Sequence, residues 1–197
     1  MLTILPLEVL MSMKVEAYIK SDLLRYKKKY TSINVIKEFI RNKGFRYSYL
    51  MRCYKGYKND NKKLGAKWIK IIHKLLCINS TIEIPLGLEV GKGLYLGHFY
   101  GITINPNAVL GNNINIHKGV TIGQENRGKR KGNPTIGNKV WLGINSTIVG
   151  NIVVGDNVLI APNSFVNFDV PADSVVIGNE IKECVNATEG YINNMIV

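Results

Sequence analysis

The sequence predicts a mainly β fold, a solenoid of triangular coils, preceded by a small α-helical N-terminal domain. Three observations carry this prediction. An aliphatic residue returns every sixth position from residue 84 onward, glycine often follows it, and the basic excess of the chain is confined to its first 80 residues.

The six-residue beat runs Ile84, Val90, Leu96, then after a two-residue slip Ile104, Leu110, Ile116 and Ile122. A break at 124–134 follows, and the beat resumes at Ile136, Leu142, Ile148, Val154, Ile160 and Val166. Four places on in each hexad the residues are mostly small or aliphatic, among them Leu94, Ala108, Ile114, Val140, Ser146 and Ser164. Neither a 3.6-residue helix nor an alternating strand has this period. Short strands on the three sides of a coil do, each turning one residue inward, with small or flexible residues at the corners. Three hexapeptides make a coil of about 18 residues, and stacked coils bury one aliphatic column.

The first part of the chain reads as helices. The segments at 14–29 and 32–42 are short helical stretches, the second with Ser32 as N-cap. At 62–76, Leu64, Trp68, Ile71, Ile72 and Leu75 form an apolar stripe flanked by Lys62, Lys63, Lys67, Lys70 and Lys74. The stripe is expected to pack on a neighbouring element; contact with an anionic membrane surface is the other use of such a helix. The organisation read from the sequence is therefore an α-helical domain over 1–80, a solenoid over 81–180 with an extended loop at 123–135, and a C-terminal tail over 181–197.

Composition narrows the functional classes. Residues 1–80 hold 18 Lys/Arg against 5 Asp/Glu, whereas residues 81–197 hold 8 against 9. No nucleic-acid-binding motif accompanies the basic helices, so nucleic acid is not expected as a partner. No apolar run approaches the roughly 20 residues that span a bilayer, and the opening 13 residues lack the basic region and cleavage site of a signal peptide. Cys53, Cys77 and Cys184 have no zinc spacing and are read as reduced thiols. No metal site and a cytoplasmic location are expected.

The stretch 83–104, EIPLGLEVGKGLYLGHFYGITI, together with Lys43-Gly44-Phe45 and VPADSVVIGN at 170–179, resembles the serine acetyltransferases, members of the hexapeptide-repeat acyltransferases. The resemblance implies a left-handed parallel β-helix. It also implies acetyl-CoA as donor, with its pantetheine arm near Gly123, Gly143, Ile144, Ala161 and Pro162, and a homotrimer with sites at the subunit seams, higher assembly passing through the helices. In the family an aspartate begins a coil and a histidine follows 15 residues on; these positions are Glu83 and His98 here. His98 is thus the candidate general base, since neutral imidazole takes a hydroxyl proton near pH 7, and Glu83 its orienting carboxylate. His117, one coil further, is the competing histidine.

The chain departs from the family where serine's charges are handled. The aspartate before the catalytic histidine is Gly97, and the Arg-His pair before Pro134 is Gly132-Asn133. With those counter-charges gone, and Tyr95, Phe99 and Tyr100 beside the histidine, the sequence points first to a sugar hydroxyl of a capsular, O-antigen or exopolysaccharide precursor. Tyr95, Gly97, Phe99, Tyr100, His117 and Asn133 are then the acceptor contacts. Serine O-acetylation is the alternative; another small acceptor and a non-catalytic scaffold are the remaining readings. The loop at 123–135, with Arg127, Lys129, Arg130 and Lys131, reads as an arm over donor or acceptor, or as a solvated loop.

Overall fold

A computed structural model describes residues 13–76 and 81–195. The opening segment, Cys77 and the boundary at residue 80 fall outside these.

Four helices come first: α1 (Met13–Arg25), α2 (Ser32–Arg41), α3 (Lys43–Asn59) and α4 (Lys63–Leu76). In α1, Val15, Ile19 and Leu23 repeat at four-residue intervals and all three are buried. The N-cap of α2 is Thr31 rather than Ser32: the Thr31 side chain accepts a hydrogen bond from the Asn34 amide at 3.2 Å. Helix α3 has no counterpart in the sequence reading. It buries Gly44, Phe45 and every residue from Tyr47 to Cys53, so no apolar stripe alternates with a wet face and the periodic signal vanishes. Asn42 caps it, its side chain accepting from the Phe45 amide at 3.1 Å.

The expected packing of the α4 stripe is overturned. Leu64, Trp68, Ile71 and Leu75 are exposed; of the stripe only Ile72 turns inward, where it joins Gly65 and Ile69. The reason is steric: a Cβ on Gly65 would strike the Tyr57 ring, so glycine alone lets α4 approach α3 there, and that contact sets the helix rotation.

Strands β1 (Glu89–Val90), β4 (Val109–Leu110), β7 (Thr135–Ile136) and β10 (Val153–Val154) form one parallel sheet, B. Sheet C carries β2 (Tyr95–Leu96), β5 (Asn115–Ile116), β8 (Val140–Leu142), β11 (Val158–Ile160) and β13 (Ser174–Ile177), with β14 (Glu180–Glu183) added antiparallel. Sheet A holds β3 (Thr103–Ile104), β6 (Thr121–Gly123), β9 (Thr147–Val149) and β12 (Phe165–Val166). The chain visits B, C and A in turn, a parallel β-helix. All thirteen beat residues are buried and belong to one hydrophobic cluster. The register pairs Ile104 with Ile122 across an 18-residue coil, Leu96 with Ile116 across the slip, and Ile122 with Ile148 across the loop.

Two columns of left-handed residues turn the corners. Asn113, Lys139, Asn157 and Asp173 lead into sheet C, and Asn145 and Asn163 lead into sheet A above Gly101 and Gly119. Asn and Asp tolerate this conformation better than other side chains do.

The helices close the first coil through a buried polar joint. Arg52 grips Asp22 with Nε and Nη2 at 2.9 and 3.0 Å and donates to the carbonyls of Val90 and Gly91, while Asp22 also accepts from the Leu94 amide. Tyr47 donates to the Ile84 carbonyl, and a Cβ on Gly44 would overlap the Leu96 carbonyl, so α3 lies directly on β2. At the other end of the chain, residues 184–192 fold back over sheet C. Thr188 donates to Asn157, and Tyr191 sets its ring 5.1 Å from Trp141. Cys53 is buried and Cys184 half-buried, both as free thiols.

Candidate active site

The residue after each inward position of sheet C stands at the edge between sheets C and A. Gly97 donates to Ile116, His117 to Leu142, Gly143 to Ile160 and Ala161 to Val176, each amide bonding the coil above. Gly97, His117, Gly143 and Ala161 therefore form one column, with rungs about 4.8 Å apart. Ile144 and Pro162 follow in their coils. Four of the five expected donor contacts thus share an edge with the candidate base; Gly123 does not, lying at the end of β6 where sheet A turns toward sheet B. At Gly143 a Cβ would overlap the backbone of Ala161 and Pro162, so glycine is required for the coils to approach there.

His98 belongs to the two-residue slip. Its φ of +48° falls outside both corner columns, so the inserted residues lift it clear of the regular coil. It is exposed, and its ring centroid lies 6.0 Å from that of His117. A non-glycine residue held at positive φ at a candidate site is backbone strain of the kind that accompanies function.

His117 occupies the space that a side chain at 97 would need. A Cβ on Gly97 would come within 2.9 Å of the imidazole Cε1 and Nδ1 and equally of Tyr95 Cε1. A side chain at 97 would therefore crowd the rings of both Tyr95 and His117, a contact invisible in a linear reading because residues 97 and 117 are 20 apart. The His117 ring stands 4.8 Å from Trp141 and 6.3 Å from Tyr95, and its Nε2 is buried without a partner. Burial, and secondarily the charge of His98, lower its pKa to about 4.

A pH dependence follows. Unfolded imidazole titrates near 6.5, so below that pH the unfolded chain takes up a proton that folded His117 refuses until about 4. The contribution of His117 to stability is full above about pH 6.5 and is lost as pH falls toward 4. Denaturant midpoints between about pH 7 and about pH 4.5 should fall more gently in His117→Gln than in the parent; identical slopes would refute this.

Other expected contacts are dispersed. Glu83 bridges to Thr103 at the start of sheet A; its carboxylate is exposed and makes neither hydrogen bond nor ion pair with His98 in the single chain. Tyr95 lies 4.8 Å from Tyr26, Phe99 turns onto Tyr47 at 5.2 Å, and Tyr100 is exposed, so no ring contact joins the three. Asn133 precedes Pro134 at the entry to sheet B, half-buried, with its Oδ1 unpartnered. The loop from 124 doubles back through a Glu125–Gly132 bridge and an Arg130–Glu125 ion pair of 3.2 Å, leaving Arg127, Lys129 and Lys131 exposed. It projects from the edge between sheets A and B, separated from His98 by the width of sheet A.

Among the described residues no group of three or more His, Cys, Asp or Glu side chains is gathered to hold a metal, and no helix is long and apolar enough to cross a membrane.

A coil of hexapeptides with a strained histidine on one edge defines a class of acyltransferase, and comparison with known proteins specifies it. The family of bacterial transferase hexapeptide (six repeats) matches residues 133–167. A serine acetyltransferase of Helicobacter pylori is 38% identical over 130 residues, which cover 66% of this chain and 76% of that protein. One from Synechococcus elongatus is 30% identical, with 66% of this chain and 57% of that protein covered. In structure, the serine acetyltransferase of Neisseria gonorrhoeae superposes with a TM-score of 0.68 at 29% identity, covering 87% of this chain and 65% of that one. The chain belongs to the serine acetyltransferase family, and it is an acyltransferase with acetyl-CoA as donor.

The expected sugar acceptor and polysaccharide role are corrected by these relatives, which are named for serine. Neutral residues at 97 and 133 suggest a vacated charge site in the linear sequence. At 97 the space is instead filled by the His117 ring.

Proposed function

We propose that the chain transfers an acetyl group from acetyl-CoA to the hydroxyl of L-serine. The observation that carries this reading is the C–A edge, where His98, displayed beside Gly97, shares an edge with Gly143, Ile144, Ala161 and Pro162, the expected track of the donor. A serine acetyltransferase structure solved with serine superposes with a TM-score of 0.67 at 30% identity, over 86% of this chain and 68% of that one.

In the proposed mechanism neutral His98 accepts the hydroxyl proton as the serine oxygen attacks the thioester carbonyl. The tetrahedral intermediate then collapses, the C–S bond breaks, and the imidazolium returns its proton to the thiolate of coenzyme A. Glu83 is the positioning carboxylate for the imidazolium, reached by rotation of its exposed side chain. His117, uncharged at neutral pH, offers a nitrogen lone pair or N–H to the acceptor in place of the family's aspartate.

A homotrimer belongs to this reading. His98 and the 123–135 loop lie on different edges of the triangular coil, and only a second copy laid against the C–A edge brings a loop over the base. Val109, Val153, Phe165 and Ile177, all apolar and exposed on the coil surface, supply contact area.

Thiol release from acetyl-CoA tests the proposal, with L-serine compared against 3-hydroxypropionate and ethanolamine, which lack its amine and its carboxylate. Turnover that depends on L-serine and drops at least about tenfold with either analogue is expected, a loss of one charge-assisted contact. Absence of serine-dependent thiol release from the folded protein would overturn it.

A further inference from the structure

Behind the His117 ring, α1, α2, the outer face of sheet C and the C-terminal segment line an open cavity of about 400 Å³, a size that suits a small organic ligand. Arg25, from the last turn of α1, lines it and is 6% exposed. Its Nη2 donates to the Asn115 carboxamide at 2.5 Å and its Nη1 lies 3.5 Å from Asn113 Oδ1, while its Nε is buried with no partner.

Among the described residues, no carboxylate forms an ion pair with this guanidinium. Asp22 is gripped by Arg52, and Glu38, on the same cavity wall, pairs with Lys28 at 3.9 Å. Burial lowers the Arg25 pKa to about 10, so the group stays charged at neutral pH. The charge of Asp22 reaches Arg25 only through space, its oxygens being held by Arg52 and the Leu94 amide, and a buried cation without a contacting counter-charge is unfavourable unless something else offsets it. The remaining walls are Tyr95, Trp141 and Tyr191, with the unpartnered Nε2 of His117 between them.

We propose that this cavity binds a small organic carboxylate with a flat apolar body, its carboxylate on Arg25 and its body against Trp141 and Tyr191. Both terminal nitrogens of the guanidinium already donate to carboxamides, and Lys27 and Glu38 on the same walls carry opposite charges, so the cavity offers about one net positive charge, which favours carboxylate over the heavier charge of phosphate. The aromatic walls match a planar partner. The cavity shares the His117 ring with the acetyl-transfer reading, but its anchor, Arg25, has no part in that reading, so the proposal holds whether or not serine is the acceptor.

The full chain carrying Trp68→Phe retains Trp141 as its one tryptophan, placed in the cavity wall. Benzoate titrated into this protein should change Trp141 emission saturably, whereas benzamide, its uncharged counterpart, should not. Arg25→Gln should weaken benzoate binding at least about tenfold, as expected for loss of a charge-assisted contact, and should leave Tm equal or raised, because a buried charge without an ion-pair contact has been removed. An arginine kept only for its bond to Asn115 would lower Tm on replacement and leave benzoate without effect. No saturable response, equal responses to benzoate and benzamide, a tighter response to inorganic phosphate, or unchanged affinity in Arg25→Gln would each overturn the proposal. If Arg25→Gln does not fold, the benzoate–benzamide comparison on the parent decides alone.

Discussion

Replacing His98 with asparagine is expected to lower kcat for acetyl transfer about 10²- to 10⁴-fold, the range for loss of a general base. Asparagine is the instructive substitution because it accepts positive φ, so the backbone at 98 keeps its +48° without added strain. His98 is exposed and makes no hydrogen bond, so Tm should stay within a few degrees of the parent. Alanine at the same position should show the same kinetic loss with a slightly lower Tm. The KM for acetyl-CoA should change little, since the proposed donor track runs along Gly143, Ile144, Ala161 and Pro162 rather than over His98. If His98→Asn retained activity within tenfold while His117→Gln lost it, the base would be His117 and the assignment on the C–A edge would be wrong by one coil.

Arg52→Ala is expected to destabilise the fold by about 3–5 kcal/mol, the effect of breaking a buried ion pair from one side. Asp22 and Arg52 are 1% and 4% exposed, so the surviving carboxylate would stay buried with only the Leu94 amide to satisfy it. Two backbone carbonyls of the first coil would lose their donors as well. For a chain of this length the loss corresponds to a Tm drop on the order of 6–20 °C, read at fixed protomer concentration because oligomers add stability by mass action. The Lys55–Glu89 pair is the control. It is shorter, at 2.6 Å, yet Glu89 is 65% exposed, and Lys55→Ala should therefore lose no more than about 1 kcal/mol. Equal effects from the two substitutions would show that burial is not what makes the Asp22–Arg52 joint strong.

The legible and illegible parts of this molecule divide along physical lines. The inward column from Ile84 to Val166 was readable because each coil repeats the same local geometry, so one-dimensional spacing reports burial directly. The slip at 97–102 was readable too, as an interruption of the beat, and it is where the structure sets His98 apart. Helix α3 was not readable because it is buried nearly all round, and the rotation of α4 was not because it depends on Gly65 meeting Tyr57. The acceptor side misled for a related reason. Gly97 and Asn133 read as missing charges, whereas the first is coupled by contact to His117 and the second sits on another edge of the coil.

The sequence by itself therefore determined the β-helix, its coil length, the two interruptions, and the histidine that one of them displays. The tertiary structure alone decided which residues share the C–A edge, that His117 is held neutral against Gly97, that Glu83 stands apart from His98 in the single chain, and that Arg25 is buried with no ion-pair contact among the described residues. Periodicity encodes contacts between a residue and the coil axis. Contacts between side chains on neighbouring coils, or between the helices and the coil, depend on register and rotation, which are settled only when the whole core packs.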